Sequence, residues 1–258
     1  MHVIKAIWPP LVLPLLLLVI WLLLSGRELV PAYLLPSPGR VCQALCDYAF
    51  GQGRAFQGRL GGDLIASLTR ILCGFGLAVI CGLPLGLISG HSKLIARLLS
   101  PLVNGLRAVP GICWLPLCLV WLGIGFKTTL FLVALAAFFP IYLNTLTGVL
   151  GTPELLLRAG QMLGLSRRQM LTSIVVPSAM LQIRAGLRLG LGLSFAYLVL
   201  GELTGVPDGV GAMIMDARAA GRVEMVICGI LVLAAVGWLA DLLLRGLTWL
   251  FFKSIRRQ

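Results

Sequence analysis

Charge is what this sequence has least of. Only 12% of its 258 residues are Asp, Glu, Lys or Arg, and nine of those are acidic. With 59% hydrophobic residues and a mean hydropathy of +1.00, too little polar surface remains to cover a soluble globule of this size. Histidine occurs twice, at His2 and His91, and no HExxH, CxxC or glycine-rich phosphate loop is present. That excludes a recognisable catalytic constellation, and with it nucleotide hydrolysis by the chain itself. The seven cysteines show no metal spacing. Cys73, Cys81, Cys113, Cys118 and Cys228 fall inside apolar runs and read as small apolar residues. Cys42 and Cys46 stand four apart on an expected helix, poorly placed for a disulfide, with a reactive role as the alternative. No catalytic residue, metal site or cofactor of its own is expected.

Long apolar runs are what the chain has instead. Uncharged stretches at 6–26, 71–92, 108–126 and 128–153 each approach or exceed the roughly 18 to 20 residues that cross a bilayer as a helix. Two more, 189–207 with Glu202 and 225–252 with Asp241 and Arg245, bring the expected spans to six. The first run is longer than a signal-peptide core and no small-x-small cleavage site follows promptly, so it reads as a retained span. The net charge of +12 sits mostly between and beside these runs, where lipid headgroups and topology account for it without a nucleic-acid partner. Placing the N-terminus, a 93–97 loop, the 154–188 segment and the C-terminus on one side gathers Lys5, Lys93, Arg97, Arg158, Arg167, Arg168, Arg184, Arg188, Lys253, Arg256 and Arg257 there. Arg27, Arg40, Arg54, Arg59, Lys127, Arg218 and Arg222 fall opposite, so the first side is expected to be cytoplasmic.

Smaller signals organise the rest. Ser37 and Pro38 are expected to open an interfacial helix over 41–50, 51–62 to be a flexible connection, and Asp63 to cap a lead-in into the second span. Gly74, Ala78, Gly82, Gly86 and Gly90 recur every four residues, a ridge that lets another helix approach closely. Gly186 with Gly190, and Gly201 with Gly205, repeat the theme. Pro110, Pro116 and Pro140 lie within expected spans, where broken helices beside a water route and kinks that shape the bundle are both open readings. Pro207, Asp208 and Gly209 predict a turn, and 210–219 a short helix or partial re-entrant element.

The segment 152–188 is the one basic, amphipathic island between spans. Pro153 can open a helix with Glu154 in its first turn, and Gly164 can end it in the left-handed conformation. Ser166 with Gln169 fits a capping box for a second helix carrying Met170, Leu171 and Ile174, which Pro177 is expected to stop. Two short helices joined by a tight turn make either a docking knob or an interfacial hairpin whose arginines bind headgroups.

Arg158-Ala159-Gly160, then Gly164, Ile174, Val176 and Pro177, resemble the EAA loop of ABC importer permeases. Val109-Pro110, Leu115-Pro116, Trp121 to Gly125, Phe139 to Thr145 and Gly186 to Leu189 are similar to the nitrate, sulfonate and taurine branch of that family. Arg158 and Gly160 depart from the acidic-Ala-Ala triplet, and Glu154, one turn earlier, shares a face with Arg158 and is offered as partial replacement for the acidic charge. The resemblance implies an all-α membrane protein with a type I importer permease bundle. It divides the chain into 1–69 (first span, interfacial helix and outer loop), 70–252 (a core of five spans that includes a coupling loop at 152–180) and 253–258 (a basic tail).

It also implies a bacterial inner-membrane subunit with cytoplasmic termini, importing an aliphatic sulfonate, taurine or nitrate. Its implied partners are an ABC ATPase pair that holds ATP and Mg²⁺, a second permease copy, an extracytoplasmic binding protein, and membrane lipid. Glu154, Arg158, Ala159, Gly160, Gly164, Ser166, Arg167, Ile174 and Pro177 become the expected coupling residues, with Gly164 and Pro177 shaping the lever and Ala159 giving close approach. Asn144, Thr145, Ser194 and Tyr197 are candidates for the route or for helix-to-helix hydrogen bonds. Glu202, expected near the outer interface, is a candidate gate or partner contact. An ion-gradient transporter or channel, which calls for buried ionisable pairs, and a non-transporting scaffold are the alternatives.

Overall fold

Glycine at every fourth position sets the spacing of the two central helices. The computed structural model describes residues 2–27, 31, 33–52 and 55–255. In it α3, Leu60–His91, runs parallel to α6, Phe126–Leu150, and each small residue of α3 faces a larger one of α6. Gly74 meets Val133, Gly82 meets Ile141, Gly86 meets Thr145 and Gly90 meets Val149. A Cβ added at Gly90 would stand 2.4 Å from Val149 Cγ1, so only glycine permits this approach. On α9, Val176–Glu202, the same device works antiparallel: Gly186 rests on Asn144, Gly190 on Ala137 and Ile141, and Gly201 on Thr129. The Gly201–Gly205 pair does not form such a face, because α9 ends at Glu202 and Gly205 takes φ 94° in the turn that follows. Helix α6 is therefore the hub, with Leu132, Val133, Ala137, Ile141 and Tyr142 fully buried.

Around the hub stand α1 (His2–Gly26), α2 (Pro38–Phe50), α4 (Lys93–Ala108), α5 (Gly111–Leu122), α7 (Glu154–Met162), α8 (Arg167–Met170), α10 (Val210–Ala219) and α11 (Val223–Ile255). Among the described residues four stretches are long and apolar enough to cross a membrane: α3, α6, Arg167–Glu202 and Val223–Leu250. The expected third span, 108–126, is not one straight helix. α4 and α5 meet at 94°, because Pro110 has no N–H to offer and holds Val109 in extended backbone with ψ 119°. α5 alone has 12 residues, about 18 Å, too short to cross. The expected loop at 93–97 is the first turn of α4, opened by Ser92, whose hydroxyl accepts from the Ile95 N–H at 3.4 Å. The remaining apolar helix is α1, described with side chains over Val12–Gly26.

At one end, Val41, Ala44 and Tyr48 of α2 join Val210, Met213 and Ala217 of α10 and Met225 and Cys228 of α11 in a buried cluster. Pro38 is at the first position of α2 as expected, but the Ser37 side chain makes no capping bond. Within the connection expected to be flexible, Phe56 is 8% exposed and plugs the same cluster. Helix α10 packs here as an ordinary short helix, entered through Gly209 at φ 115°. Arg54, Arg256 and Arg257 lie outside the described residues, and with them half of the basic tail.

Candidate functional site

The end of the molecule opposite this cluster is built by α7, the turn after it, and α8. α7 closes in a Schellman motif: Leu165 N–H reaches Gly160 O at 3.1 Å, Gly164 N–H reaches Gln161 O at 3.0 Å, and Gly164 takes φ 72°. Ser166 then opens α8 with a complete capping box, its N–H donating to Gln169 Oε1 at 2.9 Å and its Oγ accepting from the Gln169 N–H at 3.3 Å. Replacing Ser166 by Ala removes the cap, worth about 1 kcal/mol. Faster hydrogen exchange at the Gln169 amide, without change elsewhere, is the expected reading.

Pro177 does not stop the second helix. A π-helical turn at Leu171–Val175 carries the chain from α8 into α9, and Pro177 sits in the first turn of α9. The wider turn accommodates the ring and its missing donor, so Arg167–Glu202 is helical without interruption. The expected knob of two short helices is thus one short helix, a tight turn and the projecting start of a span. Arg184 and Arg188 belong to that span rather than to the loop.

Within the chain, a close approach is made at Gly160. Gly160 is buried, and a Cβ there would fall 2.6 Å from Ile174 Cδ1 and 2.9 Å from the Met170 sulfur, whereas Ala159 is exposed. α7 is thereby pinned to the π-helical turn. Arg158 pairs with Glu154 at 2.7 Å, both side chains exposed, so the pair shapes the charge pattern and contributes little stability. Leu155, Met162 and Leu163 are 78%, 88% and 79% exposed, and Arg167 is exposed beside them. Exposed apolar side chains thus stand together on a basic projection, the kind of patch that marks interaction sites.

A second constellation, unseen in the sequence, lies at the other end. Glu202 was expected near the outer interface; its side chain is fully buried. It accepts from Arg70 NH1 at 2.7 Å, Ser67 Oγ at 2.8 Å and the Gly211 N–H at 2.8 Å. Ser67 Oγ also accepts from the Val210 N–H at 3.0 Å, and Asp63 Oδ1 from the Gly209 N–H at 3.0 Å. Three successive N–H groups at the start of α10 are therefore satisfied by side chains of α3 and α9, the placement that unpaired helix-start donors favour. Arg70 further bonds the Asp208 carbonyl at 2.9 Å and the Asp208 carboxylate. Asp63 does not cap α3 but lies in its first turn, accepting from Tyr48 OH at 2.8 Å. Burial, reinforced by that hydrogen bond, holds the Tyr48 hydroxyl well above its ordinary pKa.

Acidic residues of the spans take basic partners. Besides Glu202 with Arg70, Asp241 of α11 binds Arg188 of α9 through two bonds, at 2.8 and 3.2 Å, and also Arg245. Arg70 and Arg188 are distant in sequence from their acidic partners, so no local spacing announced those two pairs, whereas Asp241 and Arg245 stand four apart on α11.

The candidate route residues are placed mainly in helix contacts. Asn144 Nδ2 donates to Pro140 O at 2.8 Å and Ser194 Oγ to Gly190 O at 2.9 Å, each within its own helix. Thr145 is buried against Gly86 with its hydroxyl unpartnered, and Tyr197 packs its hydroxyl over Gly111 of α5.

Residues 82–257, which hold most of this hub together with α7 and the capped turn before the following span, are matched by the model of the binding-protein-dependent transport system inner membrane component family. The chain belongs to this family. The permease is 36% identical over 231 residues to the taurine transport system permease protein TauC of Escherichia coli (strain K12), covering 90% of this chain and 84% of that one. It is 33% identical over 229 residues to the nitrate import permease protein NrtB of Synechocystis sp. (strain ATCC 27184 / PCC 6803 / Kazusa), covering 87% and 82%. Its fold superposes on a chain of the inward-facing MetNI methionine ABC transporter with a TM-score of 0.61 at 17% identity, over 76% of this chain and 99% of that one. The permease is thus an all-α, multi-pass membrane protein with a transport role, not an enzyme.

Proposed function

We propose that this permease forms half of the membrane pathway of an ATP-driven importer for a small oxyanion of the sulfonate, taurine or nitrate kind. The observation that carries the mechanism is the α7–α8 end: a glycine-closed, capped and apolar-tipped projection continuous with a membrane-spanning helix. It faces the cytoplasm, as do both termini, and docks on a separate ATPase pair, which holds the ATP and Mg²⁺. Because α8, the π-helical turn and α9 are one rod, displacement of the docked end moves a span directly. The ATPase biases the permease between inward-open and outward-open states through differing contacts at this projection. Glu154, Arg158, Leu155, Met162 and Arg167 supply the contact face; Gly160, Gly164, Ser166, Ile174 and Pro177 supply its shape. A second copy of the chain completes the pathway, lipid surrounds it, and an extracytoplasmic binding protein delivers cargo to the end carrying α2 and α10. The taurine and nitrate relatives support the cargo class.

Gly164→Val tests the lever. A β-branched residue at φ 72° is strained by about 1–2 kcal/mol or more, enough to redirect the turn without touching a span. ATP-driven uptake is expected to fall at least about tenfold, the equivalent of about 1.4 kcal/mol, while membrane content and ATPase co-purification persist. Uptake at the wild-type rate would refute the lever. No ATPase co-purifying with the intact permease, and no ATP-driven uptake of sulfonate, taurine or nitrate, would refute the importer.

A further inference from the structure

Between α9 and α11 lies a cleft of about 690 Å³, and none of the expected route residues lines it. Its walls are mostly apolar, with Leu189, Phe195, Leu233 and Trp238, and its one polar corner is Arg188 with Asp241. Arg245 joins that corner by bonding Asp241, so two guanidiniums share one carboxylate and a unit of positive charge is left over. Arg188, which lines the cleft, spends Nε and one terminal nitrogen on Asp241 and is 46% exposed, leaving further N–H donors free of Asp241. Gly192 and Gly237 keep the space open, since a Cβ at Gly192 meets nothing within 4 Å and one at Gly237 meets only the Phe195 ring at 3.9 Å. The volume and the pairing of apolar walls with a few convergent polar groups suit a small organic ligand.

Depth decides which anion belongs there. Arg188 stands about 21 Å from Glu202 along α9, short of the full thickness of a hydrocarbon layer measured from that end, and about 18 Å above Val176. Phosphate headgroups lie at the faces of a hydrocarbon layer about 30 Å thick, and charged side chains held between those faces mark solute routes. We propose that the α9–α11 cleft is a transit site for the cargo, and that it prefers a monoanion bearing an apolar tail, such as an alkanesulfonate, over a compact anion such as nitrate. The sulfonate binds the guanidinium corner and the tail lies against Phe195 and Trp238. This rests on the importer reading above and narrows its substrate class.

The test uses the complete permease–ATPase complex in phosphatidylcholine nanodiscs, with hexanesulfonate and nitrate as probes and Trp238 fluorescence together with equilibrium dialysis as readouts. Saturable hexanesulfonate binding is expected, weakened at least about tenfold by Arg188→Gln, which removes the charge-assisted bonds, and similarly by Gly192→Leu, which fills the cleft. Nitrate at equal concentration is expected not to compete. Asp241 keeps Arg245 in the Arg188→Gln variant, and gel filtration reports its assembly. Hexanesulfonate affinity in both variants unchanged from the unsubstituted complex overturns the site, and equal competition by nitrate overturns the preference. A cleft that retains co-purified anionic phospholipid and takes no hexanesulfonate is a lipid site, which also overturns the proposal. If ATP-driven hexanesulfonate uptake by the same complexes in sealed phosphatidylcholine vesicles proceeds but is unchanged by both substitutions, the cleft fails while the importer stands; absence of all uptake by the unsubstituted complex in those vesicles is a failure of the importer reading instead.

Discussion

Arg70→Ala is expected to be among the most destabilising single substitutions in this permease. It leaves the fully buried Glu202 carboxylate with only Ser67 and the Gly211 N–H as donors. Breaking one side of a buried ion pair costs about 3–5 kcal/mol, a large share of the about 5–15 kcal/mol that holds most folded proteins. The cost comes from the stranded charge and not from the pair's own strength. The double variant Arg70→Met/Glu202→Leu, which removes both charges and refills the space, is therefore expected to be more stable than Arg70→Ala alone. Heating detergent-solubilised protein and measuring the fraction still monodisperse ranks the three. A double variant no better than the single one would show that the cluster contributes more than charge compensation. The position of α10 follows the same ranking, since Glu202 and its neighbours satisfy the first N–H groups of that helix.

Gly86→Leu is the second large effect. A Cβ at Gly86 would lie 2.7 Å from Thr145 Cβ and 2.9 Å from the Tyr142 carbonyl, groups that cannot step aside without moving α6. In lipid no hydrophobic drive compensates for lost helix contact, so separation of α3 from α6 forfeits the packing that holds them. Overpacking a tight interior costs about 1–3 kcal/mol per site and sometimes more, and a rigid backbone neighbour puts this site at the upper end. Gly76, on the same helix with nothing within 4 Å of its Cβ position, is the matched control. Gly76→Leu is expected to accumulate in membranes and survive heating like the parent, whereas Gly86→Leu accumulates poorly and aggregates early. Equal behaviour would mean that the ridge does not set the helix spacing.

Much of this was legible in sequence because it depends on local periodicity or on one residue's backbone freedom. The four-residue glycine repeat on α3 announced a close helix contact, and the Gly186–Gly190 pair announced another. Gly164 and the Ser166–Gln169 pair announced the end of α7 and the start of α8, and the structure bears out both. Pro177 shows where such signals mislead. A proline need not end a helix where a π-helical turn upstream absorbs its missing donor, and that turn is also where Ile174 packs on Gly160 of α7. Pro110 is the converse case: it stands in an uninterrupted apolar run, yet breaks the chain by 94°. Hydropathy counts side chains and does not register the missing donor.

The sequence by itself determined that this protein is a helical membrane bundle, where most of its close contacts fall and where the turn after α7 lies. Those properties follow from apolar run length, glycine spacing and capping residues, all of which act over a few positions of chain. Only the tertiary structure decided which charges are buried and with whom. Arg70 meets Glu202, and Arg188 meets Asp241, because α3, α9 and α11 bring together residues far apart in the chain, and in a low-dielectric interior a charge is tolerated only where folding delivers its partner.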